Sequence, residues 1–196
     1  RQTDPLAWAW WDISGFALLL CGRFNEALPF FRRAEALGPA PIARANHALA
    51  LAHHGLHDEA IAKACEAIDP TNTLGWPGGF VALAEGVAGW ALAEAGDRAR
   101  AEEVVGRLEA GPEERRWNAA QPLLRLGRVD EAVALLQEPN QIALFYPLFL
   151  CAANPGLRRD GRIREAFRKV NAGDALDALT AVLDTRASHT PSTKMG

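Results

Sequence analysis

The sequence predicts an all-α protein, a series of helical hairpins with one further helix closing its C-terminal end. Three observations predict it. A short phrase of Gly, two or three polar or apolar residues, an acid and Ala recurs at near-constant pitch, apolar residues on both sides of each copy keep helical spacing, and no stretch alternates as a strand does. The phrase can be read five times, at Gly22–Ala27, Gly55–Ala60, Gly96–Ala101, Gly127–Ala132 and Gly161–Ala166, with glycines 33, 41, 31 and 34 residues apart. A Gly after a helical run can take the left-handed conformation that ends the helix and turns the chain. Asn25, Asp58 and Asp130 then fall where the next helix begins, where a short polar side chain or a negative charge meets exposed N–H groups. The closing Ala lies one turn further, where a methyl side chain lets two antiparallel helices approach closely.

In chain order, Trp11, Ile13, Phe16, Leu18 and Leu19 mark a first helix, and Ala27, Leu28, Phe31 and Ala34 a second that Pro39 stops. Ala45, Ala48, Leu49 and Leu51 precede Gly55, and Ala60, Ala64 and Ala67 follow it up to Pro70. Thr71 to Gly79 reads as extra connecting loop, which accounts for the long second interval. Gly89 and Leu92 precede Gly96, and Val129, Ala132, Val133 and Leu136 follow Gly127 in a unit with short helices that Pro139 ends. Asn154-Pro155-Gly156 interrupts the last unit. One domain over residues 1–184 is therefore expected, with units at about 8–40, 41–74, 80–111, 112–139 and 140–171, a capping helix over 173–184, and a disordered polar tail over 185–196.

Composition narrows the function. With 196 residues, 49% of them hydrophobic, the chain can bury a substantial core. Twenty-one Lys and Arg against 24 Asp and Glu leave a net charge of -3, without the basic excess that draws a chain onto nucleic acid or an anionic bilayer. No run is apolar enough for a membrane span, and Ile13 to Cys21 lacks the basic flank of a secretion signal. Cys21, Cys65 and Cys151, odd in number and without a CxxC pair, read as reduced packed thiols and favour a cytoplasmic location. A chain that opens on Arg1, with Met195 as its one Met, is expected to be a segment of a longer protein.

The first unit carries Trp11, Gly15, Leu18, Gly22, Phe24, Ala27, Phe31, Ala34 and Pro39, at offsets that resemble those of the tetratricopeptide repeat family. The later units keep fewer of these residues, and the fourth has Ala120 where the family has its first Gly. The resemblance spans roughly residues 6–170 and implies a right-handed α-solenoid of four to five tetratricopeptide-like hairpins with a C-terminal capping helix. It implies a concave groove lined by the first helix of each unit. The family's inward positions fall on Asp12, Phe16 and Leu19, on Ala45, Asn46, Leu49 and His53, on Trp90, and on Trp117 and Gln121. Trp90 and Trp117 are expected to be exposed anchors, whereas Phe16, Leu19 and Leu49 can also be read as core between hairpins. Family members that grip a C-terminal carboxylate use a Lys and an Asn in their first unit. Asp12 and Phe16 stand at those places, so a clamp of that kind is not expected although Asn46 matches in the second unit.

Catalytic chemistry finds little support. His53, His54 and His57 straddle the helix-ending Gly55 and have no Cys or carboxylate at ligand spacing, so no metal site is expected. Ser14 lies outside any nucleophile elbow, and Gly75-Trp76-Pro77-Gly78-Gly79 has no Lys and Ser/Thr to make a phosphate loop. The expectation is a non-enzymatic module without cofactor, whose apolar groove of Asp12, Phe16, Asn46, Leu49, His53, Trp90, Trp117 and Gln121 binds a partner peptide or helix. The alternative is a sensory or oligomerisation domain, possible homo-oligomer included, of a larger bacterial signalling protein or transcription regulator, a setting in which similar segments occur.

Overall fold

The computed structural model describes residues 7–136, 147–148, 150–151 and 154–189, and all regular structure among them is helical. The helices are α1 (Ala7–Leu20), α2 (Phe24–Leu37), α3 (Pro41–His53), α4 (His57–Ile68), α5 (Pro70–Thr73), α6 (Gly78–Glu94), α7 (Arg98–Glu109) and α8 (Glu113–Arg116). A 3-10 turn, Trp117–Ala119, leads into α9 (Ala120–Leu126) and α10 (Val129–Leu136), and then come α11 (Pro155–Arg159), α12 (Gly161–Lys169) and α13 (Gly173–His189). Four hairpins follow from the contacts: α1 packs on α2, α3 on α4, α6 on α7 and α9 on α10. The first helices also touch in sequence, α1 on α3, α3 on α6 and α6 on α9.

Each hairpin turns the same way. Gly22, Gly55, Gly96 and Gly127 have φ of 72°, 85°, 92° and 85°, the left-handed region that costs a Gly nothing. The next residue's N–H then reaches back five residues: Arg23 to the Leu18 carbonyl, Leu56 to Leu51, Asp97 to Leu92 and Arg128 to Leu123, all at 2.9–3.0 Å. This is the Schellman closure, which satisfies carbonyls that a helix end leaves open. The fifth glycine behaves differently from the expectation. Gly161 opens α12 behind Asp160, whose carboxylate accepts the Arg162 N–H at 2.8 Å, because an acidic cap there makes a helix start rather than an end. The corresponding closure comes ten residues later, where Asn171 at φ 58° lets Ala172 donate to the Phe167 carbonyl at 2.7 Å.

Three further expectations change. Asn25 and Asp58 sit inside the first turns of α2 and α4 without capping them, since Arg23 and Leu56 hold the cap positions with no side-chain bond; Asp97 does cap α7 through the Arg100 N–H. Residues 71–79 are more ordered than a plain loop. Asp69 caps the short α5, and Trp76 packs edge-on against Trp8 of α1 at 5.6 Å. The last helix outruns the expected cap and continues through residues 185–189, its Asp184 held by Arg158 and Arg159. Residues 190–196 of the expected tail, and 140–146 of the fifth unit, lie outside the described residues.

The core is centred on α6. This helix, GGFVALAEGVAGWALAE, is apolar on every side, and such a helix needs neighbours on every side. It has them in α3, α4, α7 and α9, and it is buried continuously from Ala84 to Ala93. Glycines permit the closest approach: a Cβ on Gly86 would lie 2.7 Å from the Asn118 carbonyl oxygen, and one on Gly89 would lie 3.0 Å from Val104 and 3.1 Å from Pro122. Gly86→Ala is expected to destabilise the chain by about 2 kcal/mol despite the better helix propensity of Ala, because the obstructing atom is backbone. Gly106→Ala, on the exposed face of α7 with nothing within 4 Å of the added methyl, is expected to stabilise by up to about 1 kcal/mol. Chemical denaturation of the two variants checks the pair, and equal effects would refute this account of α6.

Candidate functional site

The residues expected to line a groove do come from successive first helices, but they face inward. Asp12 and Phe16 on α1, Asn46 and Leu49 on α3, Trp90 on α6 and Gln121 on α9 are all buried, and Trp90 is 0% exposed. His53 and Trp117 are half-buried. The expectation that Trp90 is an exposed anchor is therefore corrected. It treated α6 as a helix with one wet face, whereas the all-round apolar surface of α6 draws protein onto each side of it.

What the structure assembles instead is a set of buried polar links between hairpins. The Asn46 amide donates to both carboxylate oxygens of Asp12, at 3.1 and 3.2 Å, joining α3 to α1. Glu35 of α2 meets His47 Nδ1 of α3 at 2.6 Å and Lys63 Nζ of α4 at 3.2 Å, so one carboxylate ties three helices. Burial would raise the Glu35 pKa, but the His47 hydrogen bond and the Lys63 charge hold it below the usual value. Arg115 of α8 pairs with Glu85 of α6 at 2.5 Å. Glu94, at the end of α6, receives Arg125 of α9 and the Asn154 amide at 3.5 Å, and lies 3.7 Å from His53 Nδ1. His53 stacks on Phe24 with ring centres 4.9 Å apart, and its burial lowers its pKa against the pull of Glu94.

None of these links has the form of a catalytic centre with an open substrate space. Arginine or lysine neutralises Glu85, Glu94 and Glu35, and Asn46 occupies Asp12. Among the described residues, no group of three or more His, Cys, Asp and Glu side chains is placed to hold a metal ion, and no helix is long and apolar enough to cross a membrane. His54 and His57 are exposed, away from the buried ring of His53. Cys151 is buried, which pushes its thiol pKa far above the ordinary value, while Cys21 and Cys65 are half-buried.

The accessible apolar surface lies elsewhere, at residues the groove argument passed over. Trp10 and Ile13 on α1 are 68% and 61% exposed, and beside them Trp11 leans on Phe30 with Arg33 over its ring at 5.9 Å. A second apolar run goes from Trp8 through Trp76 to Phe80, ring to ring, with Phe80 47% exposed, and Leu74, two residues before Trp76 in the chain, is 86% exposed. The sequence carried a signal for the first patch: α1, AWAWWDISGFALLL, is as apolar all round as α6.

Two consequences are testable. Trp90→Ala should cost about 3–5 kcal/mol in denaturant unfolding, the penalty of a large cavity in a close-packed site; a change below 1 kcal/mol would place Trp90 at the surface. Burial raises the Asp12 pKa from 3.8 to about 6, opposed by the Asn46 hydrogen bond. The folded state thus binds this proton more tightly than the unfolded state, so the stability it contributes is complete below about pH 4 and is lost as pH rises through about 6. Asp12→Asn should therefore remove that fall and leave the variant more stable than wild type above pH 7, by about 3 kcal/mol at most. Parallel urea titrations at pH 4.5 and 7.5 measure it; a variant less stable at pH 7.5 would overturn the assignment. Compared with protein-family models, curated proteins and solved structures, the chain matches none.

Proposed function

We propose that the chain is a non-catalytic protein–protein interaction module, a right-handed α-solenoid of tetratricopeptide-like hairpins that acts by offering surface to a protein or peptide partner in the cytoplasm. The likeness of successive hairpins supports the architecture. Four of them close on a left-handed Gly with the same five-residue hydrogen bond, and their first helices touch in sequence. An odd number of cysteines without a CxxC pair suits a reducing compartment, and a net charge of -3 argues for a protein partner over nucleic acid.

The observation that carries the function is the patch of Leu74 and Phe80. Large apolar side chains kept in water call for a partner, and this patch rests on a fixed platform, because Trp76 packs between Trp8 and Phe80. The partner surface is accordingly assigned here rather than to the buried Asn46, Leu49, Trp90 and Gln121. A second reading, an oligomerisation or sensory domain of a larger bacterial regulator, draws support from the bare apolar face of α1.

The test is affinity capture with the immobilised chain and its Leu74→Ser, Phe80→Ser variant, followed by quantitative mass spectrometry and by titration of each captured protein against both forms. At least one protein should bind the wild-type chain directly and lose tenfold or more in affinity with the variant. Equal binding to both forms would remove the patch as a partner surface.

A further inference from the structure

We infer that the exposed stripe of α1 pairs two copies of this chain, as an antiparallel α1–α1 contact about a two-fold axis. The inference uses a different face from the Leu74 and Phe80 patch and stands apart from the reading built on it.

The stripe is identified by position. On α3, on α6, and on the 3-10 turn that leads into α9 together with α9 itself, the residues nine, eight and five places before the turn glycine can be compared: Asn46, His47 and Ala50 before Gly55, Val87, Ala88 and Ala91 before Gly96, and Asn118, Ala119 and Pro122 before Gly127. All nine are buried. Where their contacts are known, they face the preceding hairpin. Asn46 meets Asp12 of α1, His47 meets Glu35 and stacks on Phe31 of α2, the Asn118 carbonyl abuts Gly86 of α6, and Pro122 abuts Gly89. The same places on α1, before Gly22, hold Ile13, Ser14 and Ala17, and all three are exposed. Trp10, one turn earlier, is exposed too, although its counterparts Ala43 and Ala84 are fully buried and Arg115 is half-buried. This stripe has the geometry of a surface that receives a helix of this kind.

Three features point to a second copy as the occupant. The stripe carries no ionisable side chain, since the single one on α1, Asp12, is buried; two stripes can therefore meet without burying like charges. The Ser14 hydroxyl already donates to the Trp10 carbonyl at 2.8 Å, so it can leave water without losing its hydrogen bond. Trp10 and Ala17 lie two helical turns apart on one face, with Ile13 and Ser14 between them. In an antiparallel pair centred on Ile13 and Ser14, the large ring of each Trp10 lies over the small Ala17 of the other copy. The stripe is complementary to itself, as an isologous contact requires. A head-to-tail arrangement would set the uncharged stripe against α13, which exposes Val182 but also the carboxylates of Asp174 and Asp177, Asp177 being tied to Arg164 at 2.7 Å, so the stripe meets a matching surface only in a second α1.

Sedimentation equilibrium, from low micromolar to several hundred micromolar chain, tests the pairing. The mass should rise from 21.2 kDa towards twice that value. Ile13→Glu, which sets two carboxylates face to face at the axis, should stay monomeric throughout with an unchanged circular dichroism spectrum. Mixing Ile13→Glu with Ile13→Lys should restore a dimer that neither forms alone. A wild-type chain that stays at the monomer mass overturns the proposal, and so does an Ile13→Glu variant that dimerises like wild type. Capture of a protein through Leu74 and Phe80 would be unaffected by Ile13→Glu, so failure here and failure of the interaction reading are told apart.

Discussion

Small residues at the contacts of α6 set how every neighbouring helix can lie. Gly86 and Gly89 admit the Asn118 carbonyl and the Pro122 ring at distances that a methyl group would forbid, and the flanking Ala84, Ala88 and Ala91 are fully buried. Close approach between helices increases dispersion contacts and excludes water along the whole length, at the expense of any side chain that would need room. Of the larger core residues, Trp90 and Leu92 on α6 and Val104 and Leu108 on α7 lie beside this seam and fill the space that the close contacts leave.

Alanine and glycine surfaces are smooth, and smooth surfaces discriminate poorly between one register and another a turn away. The buried carboxylates supply that discrimination. Glu35 can satisfy both His47 and Lys63 only where α2, α3 and α4 meet in one register, and Glu94 can reach Arg125, Asn154 and the edge of His53 only when α3, α6 and α9 end level with each other. Asp12 is the weakest of these links. It has an amide where Glu35 and Glu94 have cations, and its raised pKa is the sign of a charge incompletely compensated. Such a group costs stability at neutral pH, and what it contributes is the pairing of α1 with α3 at one relative height.

The helices and their turns were legible in the sequence because both depend on local chemistry. Gly22, Gly55, Gly96 and Gly127 end helices through their own backbone freedom, and the apolar spacing around them has one period. Gly161 was misread for the same reason: the phrase around it is intact, but Asp160 and Pro155 upstream favour a helix start. The groove was less legible. A position in a repeat says which way a side chain points, and whether anything covers it depends on helices distant in sequence; Trp90 and Gln121 point where expected and meet protein. The better local guide was composition around the whole helix, since an all-round apolar α6 implies burial on all sides.

That guide, applied to both α6 and α1, isolates the odd feature of the molecule. Two helices have the same apolar character, and one is enclosed while the other has a dry-natured face in water. A hairpin between two others has its flanks covered by them, whereas an apolar flank that no described helix covers stays in water until something packs on it. The side formed by α11 to α13 is mixed, with Val182 exposed beside the charges of Asp174, Asp177 and the ion pairs of Arg158, Arg159 and Arg164. The outer face of α1, with Trp10 and Ile13 exposed and no ionisable residue in its stripe, carries no charge at all. The asymmetry between the two ends is thus a property of side-chain chemistry, and it explains why association, if driven by burial of apolar surface, should join like ends and leave the charged ends apart.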